Sequence, residues 1–240
     1  MTRRVLVTRP QPGADETAQR LVEHGFAPIL LPLTRIVALA PGDLGDLSRF
    51  DAVTLTSVNA VRHTPPELIA ALRTKPAFAV GDISAKAARA AGFATVHAAA
   101  GTAADLAPLM ASKLAPGSRV LHLAAVERTA GFIEDLAARG IVLEVIEIYR
   151  ADRLDYAGEA LKAAFGDEPV WGAMSLSERA AIFLADIAQK PETAPLFETT
   201  RFFCISQKVA RPLRKLASQV LVVDDTPTED AVMRLLLSHD

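Results

Sequence analysis

FAVGDISAKAARAAGFATV (78–96) and FCISQKVARPLRKLASQVL (203–221) align without a gap, bringing Phe78 over Phe203, Ala85 over Ala210 and Arg89 over Arg214. Each copy opens on a short apolar run, crosses a glycine or a hydroxyl, continues at the spacing of an amphipathic helix and closes on a second apolar run. Strand, helix, strand in that order is the repeating unit of a parallel sheet. The likeness extends outward. Upstream of each copy an apolar run ends in hydroxyl residues and opens a helix, TLTSVNAV (54–61) and AMSLSERAA (173–181). Downstream, each has a threonine at a helix start, GTAADL (101–106) and TPTEDA (226–231). Two similar α/β lobes are therefore expected.

The rest of the chain alternates in the same way. Strands are predicted over residues 5–8, 29–31, 53–56, 78–80, 95–97, 120–123, 142–148, 170–174, 202–205 and 220–223. Helices are predicted over 16–24, 85–91, 104–114, 132–139, 178–188, 209–216 and 229–237. Only three of these strands follow Tyr149, too few for a lobe, and the two strands in the first thirty-odd residues can complete it. The expectation is a discontinuous lobe of residues 1–36 and 152–240 with a middle lobe, 37–151, inserted into it. Two chain crossings, near 33–37 and 147–151, would form a two-stranded hinge beside a cleft.

Composition excludes several functions. Half of the 240 residues are hydrophobic, and 26 basic and 28 acidic residues are mixed along the chain for a net charge of −2. No global field exists to hold nucleic acid or an anionic membrane. No apolar run approaches the roughly 18 residues of a membrane span. MTRR passes straight into VLVT with no signal-peptide core, so a cytoplasmic location is expected. The lone cysteine, Cys204, lies in the apolar run RFFCIS and reads as a core residue. His24, His63, His97, His122 and His239 are scattered, without the spacing of a metal site, and each reads as a surface or core residue. Neither G-x-G-x-x-G nor G-x-x-x-x-G-K-[ST] occurs, and SLSER (175–179) lacks the glycines of a nucleophile elbow. No metal or coenzyme is expected.

Ligands of open parallel sheets bind beyond the carboxyl ends of the strands, where helix N-termini present free amides. Thr8, Ser57, Gly81, Ser175, Ser206 and Thr226 each follow a predicted strand, positions that serve equally as helix caps. TPTE (226–229) reads as a capping box with Pro227 at the first helical position.

VLVTRP (5–10), DAVTLTSVNAV (51–61), FAVGDISAKAARAAGF (78–93) and GIVLEVIEIYRA (140–151) together resemble the motif series of the uroporphyrinogen-III synthase family, in that family's order. MSLSERAAIF (174–183), CISQKVARPL (204–213) and TPTEDAV (226–232) resemble its second half, so the likeness covers nearly the whole chain. The resemblance implies two flavodoxin-like lobes working without cofactor. It implies dehydration and cyclisation of hydroxymethylbilane, with inversion of the last pyrrole ring, to uroporphyrinogen III. It also makes Tyr149 the candidate for assisting hydroxyl departure. Arg9, Thr56, Ser57, Asn59, Gly81, Ser175, Ser177 and Thr228 become candidates for holding carboxylates or pyrrole N–H groups. Ser206 and Gln207 join them, although the family pattern I-G-x-x-[TS]-A is broken there by ISQKVA (205–210). In LAAVERTAG (123–131) Ala125 stands for a family glycine, and Thr129, or Arg128 by a one-residue shift, for an arginine. The expected partner is the linear tetrapyrrole alone, taken by a monomer, with delivery from hydroxymethylbilane synthase. A two-lobed receptor for an anionic small molecule, a catalytically silent homologue, and a flavin or phosphoacceptor protein using Asp224 and Asp225 are the competing readings.

Overall fold

The structure, a computed structural model, describes residues 2–101, 103–128, 131–216, 219–224 and 227–239. The chain forms two compact units, Met1–Arg35 with Asp152–Asp240, and Ile36–Ala151. In chain order the first unit begins with β1 (Arg4–Val7), α1 (Gly13–Glu23) and β2 (Ala27–Leu30). The second comprises β3 (Thr34–Ala38), whose start belongs to the first unit, then β4 (Ala52–Leu55), α2 (Val58–His63), α3 (Pro66–Leu72), β5 (Ala77–Ala79), α4 (Asp82–Ala90), β6 (Val96–Ala98), α5 (Ala103–Ala111), β7 (Arg119–Ala125), α6 (Gly131–Ala138) and β8 (Val142–Arg153). The first unit resumes within β8 and adds α7 (Gly158–Phe165), β9 (Gly172–Ser175), α8 (Glu178–Ala188), α9 (Ala194–Phe197), β10 (Arg201–Cys204), α10 (Gln207–Ala210), β11 (Val220–Val222) and α11 (Glu229–Leu237).

The sheet of the first unit runs β11-β10-β9-β1-β2, and all four of its pairings are parallel. Numbered within the unit this is 2-1-3-4-5, the flavodoxin order. The second sheet runs β3-β8-β7-β4-β5-β6, with β8-β7-β4-β5-β6 parallel throughout. Its five parallel strands occupy the same places as those of the first sheet, reached by a circularly permuted path. The two aligned segments supply β5-α4-β6 and β10-α10-β11 at corresponding edges. At the other edge β3 lies beside β8, Leu39 N–H donating to the Ile148 carbonyl and Leu154 N–H to that of Leu33. One strand therefore ascends as the other descends.

Both faces of each sheet are covered, which is why the strands read as unbroken apolar runs. In the first unit Leu6, Phe202 and Cys204 pack with Leu184, Phe165 and Phe197 on one side. Their neighbours Val5, Val7 and Phe203 pack with Leu21, Val232 and Leu236 on the other. The second unit divides alike, Val53, Leu55, Leu121 and Leu123 facing one core and Ala52, Phe78 and Val120 the other. Each large buried side chain contributes roughly 1.5–3 kcal/mol.

Residues 34–38, at the first of the two expected crossings, form a full strand and bring the strands to eleven among the described residues. Two local expectations fail. Residues 207–215 are not one helix: Pro212 has no amide to give, and after one α-turn the chain continues as a 3-10 helix, Arg211–Lys215. The last helix is capped by Thr228, whose hydroxyl accepts from Ala231 N–H at 3.1 Å, so Pro227 precedes the helix instead of opening it. Thr226, like Asp225, Thr129 and Thr102, lies outside the described residues.

Candidate active site

In the second unit β4 leads by way of α2 toward β5, whereas β7 leads by way of α6 toward β8, the opposite way across the sheet. The chain diverges between adjacent β4 and β7, which opens a crevice beyond their carboxyl ends. A pocket of about 220 Å³ lies there, lined by Thr56, Ser57, His122, Ala125, Glu127, Arg128, Phe132 and Tyr149.

Ser57 caps α2, its Oγ accepting from Asn59 N–H at 3.1 Å. Its hydroxyl also stands close enough to the Tyr149 phenol to oppose the rise in that group's pKa. Tyr149 reaches the pocket through a β-bulge: β7 and β8 pair Ala124 with Glu147 but Ala125 with Tyr149, passing over Ile148. The extra residue breaks the alternation, so Ile148 and Tyr149 are buried in succession. Tyr149 is 7% exposed, and its ring centroid lies 6.1 Å from that of His63. Burial raises the phenol's pKa, opposed by the Ser57 hydroxyl and reinforced by the Glu127 charge. The ring is held as a neutral phenol, a donor and not a base.

His122 is the residue that sequence reasoning passed over, having grouped it with four other scattered histidines. It is 3% exposed, its Nδ1 stands 3.3 Å from the Thr54 carbonyl, and its ring meets Phe132 edge-on at 5.6 Å. Burial lowers its pKa to about 4, the Thr54 contact opposing the shift and the Arg128 charge adding to it. The one available signal was a polar residue inside the apolar run VLHLAA (120–125). Arg128 folds back over the end of β7, donating to the Ala125 and Val126 carbonyls at 3.0 and 3.2 Å and to Glu147 Oε1 at 2.6 Å. It borders the pocket as a fastened cation.

Gly81, after β5, occupies φ 145°, where a side chain would be strained, and its carbonyl starts α4. Of the candidates in this unit, Thr56, Ser57 and Tyr149 share the pocket, while Asn59 joins it through the cap and Gly81 lies one strand away.

The first unit has its own divergence point, between β1 and β9. Thr8 donates from there to the Met174 carbonyl at 3.3 Å. Ser175 ends β9 wholly buried, and its Oγ is the one buried side-chain polar atom among the described residues without a partner. Ser177 and Ser206 cap α8 and α10, accepting from Ala180 and Val209 N–H. The Gln207 side chain accepts from Arg214 at 2.6 Å. Arg9 is tied inward, ion-paired with Glu229 and donating to Thr17 at 3.1 Å, while Thr17 donates to Glu229 at 2.5 Å. This network clamps α1 to α11.

Two parallel α/β units, each with a hydroxyl-capped helix start at its divergence point, define a protein of the doubly wound class. The family model described as Uroporphyrinogen-III synthase HemD matches residues 15–234. The chain therefore belongs to the uroporphyrinogen-III synthase family, lyases of tetrapyrrole biosynthesis. Its fold is similar to the uroporphyrinogen-III synthetase of Helicobacter pylori, at TM-score 0.69 and 20% identity over the whole of both chains. It is also similar to a mutant uroporphyrinogen III synthase of the extremely thermophilic bacterium Thermus thermophilus, at TM-score 0.57 and 19% identity, again over the whole of both chains. None of the curated proteins matches the chain. No helix among the described residues is long and apolar enough to cross a membrane.

Proposed function

We propose that the pocket at the ends of β4 and β7 assists hydroxyl departure from hydroxymethylbilane, with Tyr149 as the donor. The observation that carries this reading is the buried Tyr149 phenol lining the pocket together with Ser57. Ser57 accepts from the Asn59 amide at 3.1 Å, and its hydroxyl beside the phenol opposes the rise in the phenol's pKa. Burial keeps the phenol's hydrogen in place. When the substrate's C–O bond breaks, electron density collects on the departing oxygen, and a fixed donor stabilises it more than it stabilises the bound alcohol. The pyrrole nitrogen supplies the electrons that expel it. The cation so formed is captured by the far end of the chain through a spiro intermediate, and the last ring is inverted.

The helix starts at Ser177, Ser206 and Thr228, and at Gly81 and Ser57 in the other unit, are the proposed holders of substrate carboxylates, with Thr56, Asn59, Ser175 and Gln207 beside them. The clamp on Arg9 points to an indirect part, through α1 and α11. We further propose a cytoplasmic monomer supplied by hydroxymethylbilane synthase, because the free substrate closes unaided to the type I isomer. The test is isomer analysis: protein treated with chelator, given fresh hydroxymethylbilane and no cofactor, is expected to shift the product from type I to type III. An unchanged type I yield refutes the proposal.

A further inference from the structure

His122 has a second nitrogen that the proposed chemistry does not use. The Thr54 carbonyl can only accept, so Nδ1 carries the ring hydrogen and Nε2 is left with a lone pair. Nε2 has no partner among the described residues, and it is not among the buried polar atoms sealed away unpaired, a condition met only by Ser175 Oγ. With Nδ1 turned to Thr54, Nε2 is the ring nitrogen left for the pocket that His122 lines. The other polar groups around that pocket offer hydrogens or are already bound. The Tyr149 phenol and the Ser57 hydroxyl carry hydrogens to donate, Arg128 is a cation held on two carbonyls and Glu147, and the Glu127 carboxylate accepts from Ala151 N–H at 3.1 Å. The ring cannot turn without giving up Thr54, and Phe132 stands edge-on to it.

A pocket of about 220 Å³ is smaller than the roughly 300–1,000 Å³ that enclose drug-sized ligands, so it takes one ring of a larger molecule. A neutral acceptor at the back of a one-ring pocket selects a neutral donor, because a carboxylate there would face a lone pair. We infer that His122 Nε2 accepts the N–H of a single pyrrole ring seated in this pocket, making His122 a specificity-determining residue that registers one ring of the chain beside Tyr149. This rests on the reading of the pocket as the place where a pyrrole chain is handled, but it is testable without turnover.

Nitrogen-15 NMR of histidine-labelled protein provides the test, the His122 signals being assigned by their loss in His122→Asn. The probe is a monopyrrole carrying acetate and propionate arms, set against its N-methyl counterpart, which keeps the arms and lacks the donor. The expected result is an upfield shift of His122 Nε2 with the N–H pyrrole, no such shift with the N-methyl compound, and an unmoved Nδ1. The Asn side chain can keep the donor to Thr54 but is too short to place an acceptor where Nε2 stands, so affinity for uroporphyrinogen III is expected to fall about three- to tenfold. Equal shifts with both pyrroles, or no shift with either, overturn the inference. A shift specific to the N–H pyrrole in a protein that yields no type III isomer would uphold the ring site and reject the enzymatic reading alone.

Discussion

The neutral, buried His122 sets a sharp expectation for stability in acid. Its pKa stands at about 4 in the fold against an ordinary 6.5, so as pH falls the unfolded chain takes up a proton well before the folded one. The sign follows directly. This contribution is fully present above pH 6.5, drains away between 6.5 and about 4, and is level below. A gap of about two and a half pH units, at about 1.4 kcal/mol each, amounts to roughly 3.5 kcal/mol, of which about 3 kcal/mol is lost between pH 7 and pH 4. Carboxylate ion pairs are also lost in acid, so the measured quantity is the difference between wild type and His122→Asn. That variant carries a constant cavity cost but no titration, and the stability gap should narrow by about 3 kcal/mol from pH 7 to pH 4. Trp171, the only tryptophan, lies in the first unit, so its fluorescence would follow the wrong half of the molecule. Urea melts followed by circular dichroism, with hydrogen exchange of the β4 and β7 amides, report the second unit. A gap that stays constant across this window would refute the reasoning, since it would mean that His122 is charged, or solvated, in the fold.

Other outcomes follow from the same geometry. Tyr149→Phe keeps the ring and removes the donor, so the fold should survive while turnover drops roughly a hundredfold; Ser57→Ala, losing one of many contacts, should cost about 1 kcal/mol or less of transition-state stabilisation, and the assignment fails if the order reverses in the isomer assay. Glu229→Ala strands Arg9 and the buried Thr17 together and should cost about 2–3 kcal/mol in denaturant melts, whereas Asp230→Ala, at an exposed pair with Arg20, should cost under about 1 kcal/mol. Cys204 is wholly buried and its thiol is pushed up to about 12, so iodoacetamide should label it only on unfolding; rapid labelling of the native protein would contradict its placement. Gly81→Ala forces a side chain into φ 145° and should cost about 1–3 kcal/mol by thermal melting.

Much of the candidate site was legible because helix caps are local chemistry. Ser57, Ser177, Ser206 and Thr228 each sit where a strand gives way to a helix, and each hydroxyl accepts an amide two or three residues onward, a contact that needs no distant partner. Thr228 shows the limit of such reading, since TPTE allows the helix to begin at either threonine. In the structure Thr228 caps α11, and Glu229 next to it joins the ion-pair network with Arg9 and Arg20. Arg9 itself reads from its motif as a ligand-holding cation, yet its nearest anion is supplied from 220 residues away.

Alternating apolar runs and helical periods are local properties, and by themselves they determined a layered α/β protein of two like parallel sheets. They also determined the short hydroxyl-capped connections at the strand ends and the lone cysteine in a core strand. Tertiary structure alone decided what depends on register between distant strands. The bulge opposite Ala125 turns Tyr149 inward beside Ile148, and a one-residue slip there would place the phenol on the other face. The pairing of Thr54 with His122 decides which imidazole nitrogen keeps its hydrogen and which faces the pocket. Such choices follow from partners 68 residues apart meeting across a sheet, and no window along the chain contains both.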